Sequence, residues 1–209
     1  MTTTTTTGTV TAGVAALDRA LGAVIPFAER APSGARHVLQ LRAGGGWLTV
    51  TATDGYVAGR VRQPATGRIE QPFLLDRTHA QLLHDAVRCH LTEVPDLPIT
   101  LDVTDAYLQR RLTVAAGEVT FRFAAANLPA TNLDVVFAAP RRPGGDTPIG
   151  ITAAQLAPFG EAATWAPGQA MRWAFHGPGR PSLVTLGDWF TGALMPQPLP
   201  EPPERGAHR

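Results

Sequence analysis

Histidine, cysteine and carboxylate side chains are the groups from which a catalytic or metal centre would be built. The chain has six histidines, one cysteine and 17 aspartates and glutamates among its 209 residues. His79, His84 and His90 lie five and six positions apart, so no neighbouring pair has the i, i+4 spacing of a helical zinc site. The single cysteine, Cys89, excludes an intramolecular disulfide and a thiolate zinc site.

Motifs of nucleotide and acyl chemistry are also missing from the sequence. No Walker loop, G-x-S-x-G or G-x-G-x-x-G follows a predicted strand. All 18 basic residues are arginine, which excludes a Schiff-base or phosphate-loop lysine. Asp102 and Asp105 flank a predicted turn and lack a neighbouring histidine. We therefore expect no enzyme, no cofactor and no metal, and keep an enzyme on an unrelated α+β fold as the less favoured alternative.

Arginines could instead contact a nucleic-acid backbone. The net charge of +1 rules out a binder that works by bulk positive charge. Arg77, Gln81, His84 and Arg88 nevertheless recur at helical spacing and are predicted to share one helix face. Such a stripe, with Arg19 on the preceding helix, would contact double-stranded DNA weakly and without sequence specificity. A simple solvated helix face remains the alternative.

The cellular location follows from what the sequence lacks. One cysteine suits a reducing compartment. The threonine-rich start has neither the basic residues nor the apolar stretch of a signal peptide, and no apolar run is long enough for a transmembrane helix. We expect a soluble cytoplasmic protein with no membrane partner.

Hydrophobic periodicity predicts an α+β pattern that recurs three times: a helix followed by a meander of strands. The first helix is expected over 11–29, with Val14, Leu17 and Leu21 on its apolar face. Asp76 and Thr152 are expected to cap the second and third helices, which run over 77–90 and 153–164. Strands are expected at 37–42, 47–53, 56–62, 72–75, 99–103, 108–115, 119–124, 149–151, 171–175, 182–186 and 190–195, with an extended piece at 133–138.

Proline and glycine content divides the chain into units. We expect a disordered tail over 1–10, a domain of two units over 11–139 and a linker over 140–148. A third unit, a half domain, should occupy 149–196, before a disordered proline-rich tail over 197–209. Helices should cover one face of antiparallel sheets, with Leu48, Val50 and Ala52 on the buried face of their strand.

Three short stretches and the end of the predicted folded region, in this order and on this repeated pattern, resemble the bacterial DNA polymerase III β sliding clamp family. Leu48–Tyr56 resembles the strand and turn that end in A-T-D-G-aromatic. Pro72–Leu75 with Ala80–Leu83 resembles the strand and helix entry, and Asn127–Pro129 resembles a divergent F-P-x-Y segment. Ala193–Pro196 resembles the V-V-M-P ending. The resemblance implies a shortened, divergent clamp of three units, where the family has six.

The resemblance also implies a function: a processivity or partner-recruiting factor of DNA replication or repair. Helices would face duplex DNA, and a pocket would bind linear-motif peptides of polymerase or repair proteins. The matching pocket positions are Leu39, Thr53, Gly55, Tyr56, Val57, Ala58, Leu194, Met195 and Pro196. The competing interpretation of these residues is an ordinary core and a hairpin turn. The alternative function is a clamp-fold adaptor, or competitor of the host clamp, that forms no ring.

Ring closure depends on how the third unit is paired. The family closes twelve units around DNA, so three units per chain imply a homotetramer. An unpaired third unit would then need an apolar edge at the subunit boundary. Trp165, Trp173, Trp189 and Phe190 are candidates for that edge. Their alternative role is to fill the core beneath the third helix.

Overall fold

Among the residues that the structure describes, ten strands form one antiparallel sheet with three helices on one of its faces. The computed structural model describes residues 5–31, 36–94, 97–106, 109–138, 149–177, 179–197 and 199. The predicted α+β arrangement of helices and antiparallel meanders is confirmed. No helix among the described residues is long and apolar enough to cross a membrane.

The first unit begins earlier than the sequence pattern predicts. Strand β1 covers Thr5–Gly13 and pairs with β4 and β5, so the predicted disordered tail is wrong for residues 5–10. Helix α1 (Val14–Val24) and a 3₁₀ turn (Ile25–Phe27) follow. Strands β2 (Val38–Gly44), β3 (Trp47–Thr53) and β4 (Val57–Asp76) complete the unit.

The second unit is joined to the first without a break, because the predicted strand 72–75 is the end of β4. The side chain of Asp76 accepts a hydrogen bond from the backbone N–H of Thr78, as expected of the residue that caps helix α2 (Arg77–Glu93). Strands β5 (Pro98–Ala106), β6 (Gln109–Ala116) and β7 (Val119–Ala124) form the meander. The extended piece predicted at 133–138 is instead a short helix, α3 (Asp134–Phe137).

The third unit consists of helix α4 (Ala153–Ala163) and strands β8 (Arg172–Ala174), β9 (Ser182–Leu186) and β10 (Phe190–Leu194). Thr152 caps α4 in a reciprocal capping box with Gln155, as the sequence predicts. No strand forms at 149–151, where Gly150 makes only an isolated bridge to Gln197. That bridge places Gln197 in the fold and not in a tail. The predicted linker 140–148 lies outside the described residues.

Strand pairing joins all three units. The order along the sheet is β7-β6-β5-β1-β4-β10-β9-β8, with β2 and β3 alongside β4. Strand β10 pairs antiparallel with the first part of β4, in the register Val57↔Leu194 to Val61↔Phe190. The third unit is therefore not an unpaired half domain, because its sheet continues that of the first unit within the same chain.

The core lies between the helices and the sheet. Leu48, Val50 and Ala52 alternate inward and are 0%, 0% and 1% exposed, as predicted. At the junction of the first and third units, Gly59 on β4 lies opposite Gly192 on β10. A Cβ at either glycine would lie within 2.5 Å of a Phe27 or Phe159 ring atom, so the missing side chains make room for these rings. The two rings meet edge to face, 5.0 Å between centroids.

The four aromatic residues that were candidates for a subunit edge pack against the core of the chain. Trp189 and Phe190 are buried, while Trp165 and Trp173 are half-buried and pack against the main core. Trp173 lies 5.2 Å from Phe159, measured between ring centroids. Of the two interpretations of this cluster, the structure favours the core beneath the third helix.

Candidate functional site

The turn between β3 and β4 is held by its own side chains. The Asp54 carboxylate accepts hydrogen bonds from the backbone N–H groups of Tyr56 and Val57, both at 2.8 Å. The Thr53 hydroxyl donates to the Val57 carbonyl at 2.7 Å. Gly55 has φ +101°, which glycine adopts without strain. These contacts fix the direction of the Tyr56 side chain, which is 60% exposed.

Strand β10 brings the end of the folded chain to this turn. After the last ladder pair, the Met195 N–H donates to the Tyr56 carbonyl at 2.8 Å. The predicted proximity of Tyr56 and Met195 is therefore confirmed. Gln155 on α4 donates to the Met195 carbonyl at 3.0 Å and so anchors the same segment from the other side. Met195 remains 41% exposed, as a side chain that contacts a ligand must.

Tyr56 and Met195 border a cleft of about 240 Å³, the apolar cleft, on the sheet face opposite the three helices. Six of the nine predicted pocket residues line it: Thr53, Gly55, Tyr56, Val57, Ala58 and Met195. The remaining three do not. Leu39 and Leu194 are fully buried, and Pro196 is buried beside Met195.

The other wall of the apolar cleft comes from a segment that the sequence did not suggest. Residues 127–138, the crossover segment, run from the second unit across the outer face of β2, β3 and β4. Thr131, Leu133 and Val136 from this segment line the apolar cleft, together with Arg36, Pro181 and Ala193. Gln40 donates to the Thr131 carbonyl at 2.9 Å and holds the segment on the sheet. In the sequence, the apolar side chains of Leu133, Val135 and Val136 are the signal that this segment packs against another element.

Asp134 fastens the crossover segment by two ion pairs. Its carboxylate accepts from Arg42 at 3.0 Å and from Arg60, whose guanidinium also lies over the Phe137 ring. Partial burial raises the pKa of Asp134, but the hydrogen bond and charge of Arg60 and the charge of Arg42 outweigh it, so the net pKa lies below its ordinary value. Burial lowers the pKa of Arg60 from its ordinary value, and Asp134 opposes that shift.

The residues predicted to face DNA do not all share one surface. Arg19 on α1 and Gln81 and Arg88 on α2 are exposed, and Arg77 is partly exposed at the start of α2. Arg19 lies over the ring of Trp189 and Arg88 over that of Trp165, each at 5.6 Å. The helix layer therefore presents arginines beside tryptophans.

His84 departs from this stripe and corrects the prediction of a DNA-facing histidine. It is 6% exposed, and its Nε2 lies 3.1 Å from Oδ1 of Asp18 on α1, which is itself buried. The ring of Trp165 packs against it at 5.6 Å. The i, i+3 step from Gln81 to His84 rotates the side chain towards α1, so His84 belongs to the contact between the two helices.

No family model and no curated protein matches the sequence. Solved structures of bacterial DNA polymerase sliding clamps do match. The DNA polymerase sliding clamp of Pseudomonas aeruginosa superposes with a TM-score of 0.72 at 14% identity, over 93% of this chain and 67% of that one. The β sliding clamp of Caulobacter crescentus gives 0.66 at 16%, over 94% and 66%. The DNA polymerase III β subunit of Thermotoga maritima gives 0.67 at 12%, over 92% and 66%.

These matches define the class of the fold. The chain has the DNA clamp fold, which it shares with bacterial DNA polymerase III β sliding clamps at low sequence identity. The resemblance predicted from the motifs is confirmed at the level of the fold. The chain spans about two thirds of the length of the solved clamps that it matches.

Proposed function

We propose that this protein is a sliding-clamp-like accessory factor of DNA replication or repair, and that its apolar cleft binds linear-motif peptides of polymerase or repair proteins. One observation carries the proposal. The T-D-G turn and Met195, which are far apart in sequence, meet in a single cleft through the pairing of β10 with β4. A clamp-type pocket requires this meeting, whereas an ordinary hairpin turn does not.

The chemistry of the apolar cleft suits leucine and phenylalanine side chains. Its walls are mostly carbon, from Val57, Ala58, Leu133, Val136 and Met195. Methionine adapts its shape to different apolar partners, and Tyr56 offers a ring face and a hydroxyl at the rim. A cleft of about 240 Å³ accommodates one or two such side chains and leaves the peptide backbone at the surface.

Peptide binding tests the proposal directly. We expect a fluorescent peptide that carries a Leu-Phe pair to bind the wild-type protein, and Met195→Ala to weaken binding by about 1–3 kcal/mol. Leu156→Ala is the matched control, because Leu156 on α4 is 42% exposed, against 41% for Met195, and does not line the cleft. Equal affinities of the wild type and Met195→Ala would refute the proposal.

DNA would pass along the helix layer. Arg19, Arg77 and Arg88 are placed to contact phosphates there, together with Gln81. At a net charge of +1 the affinity should be low and should fall with salt. Binding that does not depend on sequence, measured on two unrelated duplexes at low ionic strength, would support this assignment.

The aromatic cluster bears on the choice between a ring and an adaptor. Because Trp189 and Phe190 are buried within the chain, they are not available to close a ring of four chains. This observation favours the second candidate, a peptide-binding adaptor or clamp competitor that forms no ring. Light scattering with and without circular DNA separates the two: a tetramer retained on circular but not linear DNA supports the ring, and a monomer supports the adaptor.

A further inference from the structure

A second cleft adjoins the apolar cleft on the same face of the sheet. It encloses about 260 Å³ and is lined by Gln40, Arg42, Thr49, Thr51, Arg60, Arg62, Leu133 and Asp134. We call it the basic cleft. Thr49, Thr51 and Thr53 alternate along one face of β3, the first two in the basic cleft and the third in the apolar cleft. Leu133 lines both, so the two clefts are neighbours.

The basic cleft has an excess of positive charge. Three arginines face one aspartate among its lining residues. Arg62 is exposed, lies over the ring of Trp47 at 4.7 Å and has no carboxylate within ion-pair distance among the residues that the structure describes. An anionic group that enters this cleft would therefore meet an arginine whose charge is not already paired.

The chain itself shows that a carboxylate fits. Asp134 projects from the crossover segment into the basic cleft and is held by Arg42 and Arg60. It remains half exposed, with a relative side-chain accessibility of 55%, so the cleft is open to solvent beside it. A second carboxylate entering from solvent would contact Arg62 and share Arg42.

We propose that the basic cleft binds an aspartate or glutamate side chain of the same peptide whose apolar side chains occupy the apolar cleft. This inference rests on the proposed function. From Thr53 to Thr49 is four strand residues, or about 13 Å at 3.3 Å per residue. An extended peptide that runs beside β3 would thus place the acidic residue about four positions from its apolar anchor. Among peptides that carry the apolar anchor, the arginines would then favour those that also carry the acidic residue.

Position in the fold favours a peptide over DNA as the source of the negative charge. The arginines of the basic cleft lie on the sheet face opposite α1, α2 and α4. Thr49 and Arg62 alternate outward, while Leu48 and Val61 alternate into the core beneath those helices. A duplex on the helix layer would therefore not contact Arg62, whereas a peptide in the apolar cleft passes directly beside it.

The test compares two peptides and several variants. Both peptides are synthetic and carry a Leu-Phe pair, but one has aspartate four positions from the pair and the other asparagine. Because the peptide direction is not fixed by the geometry, each is made with the polar residue on either side. We measure the ratio of the two affinities by fluorescence anisotropy, at low and at high ionic strength.

We expect wild-type protein to prefer the aspartate peptide by about fivefold at low ionic strength, and less at high ionic strength. Arg62→Gln should abolish that preference, because it should weaken the aspartate peptide more than the asparagine peptide. Asp134→Asn should increase the preference, because it removes the negative charge that competes for Arg42 and Arg60. Arg122→Gln, at an exposed arginine on β7, is the charge-matched control and should leave the ratio unchanged.

Failure of this inference differs from failure of the proposed function. If Met195→Ala weakens both peptides but Arg62→Gln leaves the ratio intact, the basic cleft does not bind the peptide and the inference is overturned. If neither peptide depends on Met195, the proposed function itself fails. If Arg62→Gln lowers affinity for duplex DNA and not the peptide ratio, the cleft is a nucleic-acid site and the inference is again overturned.

Discussion

Trp165 packs on Gly22, and this contact leads to a testable prediction about how the third unit packs against the helix layer. A Cβ added at Gly22 on α1 would lie 2.0 Å from Cζ2 of Trp165 and 2.9 Å from Nε2 of His84. Carbon atoms in contact are normally about 3.5–4.0 Å apart. The indole ring would therefore have to move by about 1.5–2 Å, away from α1 and from the buried His84–Asp18 pair.

The magnitude follows from two opposing effects of Gly22→Ala. Replacing glycine by alanine inside a helix stabilises it by about 1 kcal/mol. Overpacking against a ring that cannot move freely costs about 1–3 kcal/mol. Gly160→Ala on α4 is the matched control, since a Cβ there meets nothing within 4 Å. We expect Gly160→Ala to stabilise the protein and Gly22→Ala to be less stable than that control by about 1–3 kcal/mol.

Urea unfolding followed by far-ultraviolet circular dichroism measures both variants against the wild type. A double-mutant cycle isolates the contact: in a Trp165→Ala background, Gly22→Ala should be less destabilising than in the wild type, because the contact at 2.0 Å is gone and only that at 2.9 Å with His84 remains. Equal stabilisation by Gly22→Ala and Gly160→Ala would refute the reasoning. It would mean that Trp165 does not pack on α1 and that the third unit is not held there.

Two further predictions concern the walls of the apolar cleft. Since the pKa of Asp134 is lowered in the folded protein, its contribution to stability is present above the ordinary carboxyl pKa and is lost as the pH falls through its folded pKa. The thermal melting points of the wild type and Asp134→Asn should thus differ at neutral pH and converge in acid, and a difference that persists unchanged in acid would contradict this assignment. Gln155→Ala should lower both the melting point and the peptide affinity, because Gln155 completes the capping box and also donates to the Met195 carbonyl. Thr152→Ala should cost about 1 kcal/mol of stability with little loss of peptide affinity, and equal affinity losses in the two variants would argue against a role of Gln155 at the cleft.

Several misreadings of the sequence share one cause, which is that a strand cannot be recognised from its own residues when its partners are distant. The threonine-rich start is expected to be a tail, although threonine is β-branched and favours strands. It pairs with β4 and β5, whose residues lie more than fifty positions further along the chain. Likewise the sequence predicts two short strands in place of β4, because Pro64 and Gly67 in its middle are turn signals in a sequence.

The functional residues divide in the same way. The T-D-G turn was predictable, since Asp54 and Gly55 form it with hydrogen bonds to immediate neighbours. The wall formed by Leu133 and Val136 of the crossover segment was not predictable, because no local sequence pattern indicates that this segment crosses the outer face of the sheet. Helical spacing places His84 on the wrong surface. It gives the direction of the side chain around the α2 axis, but the packing of α1 with Asp18 decides whether that direction faces solvent.

Local structure can be predicted from the amino-acid sequence alone: the caps at Asp76 and Thr152, the turn at Asp54-Gly55 and the inward alternation of Leu48, Val50 and Ala52. Each of these depends on interactions within a few residues, or on the alternation of apolar side chains that burial of one strand face requires. The pairing of β10 with the sheet of the first unit, which places Met195 beside Tyr56, depends instead on the complete fold. Pairing between such distant segments depends on the shape and burial of whole surfaces, here the packing of Phe27 and Phe159 over the paired glycines Gly59 and Gly192.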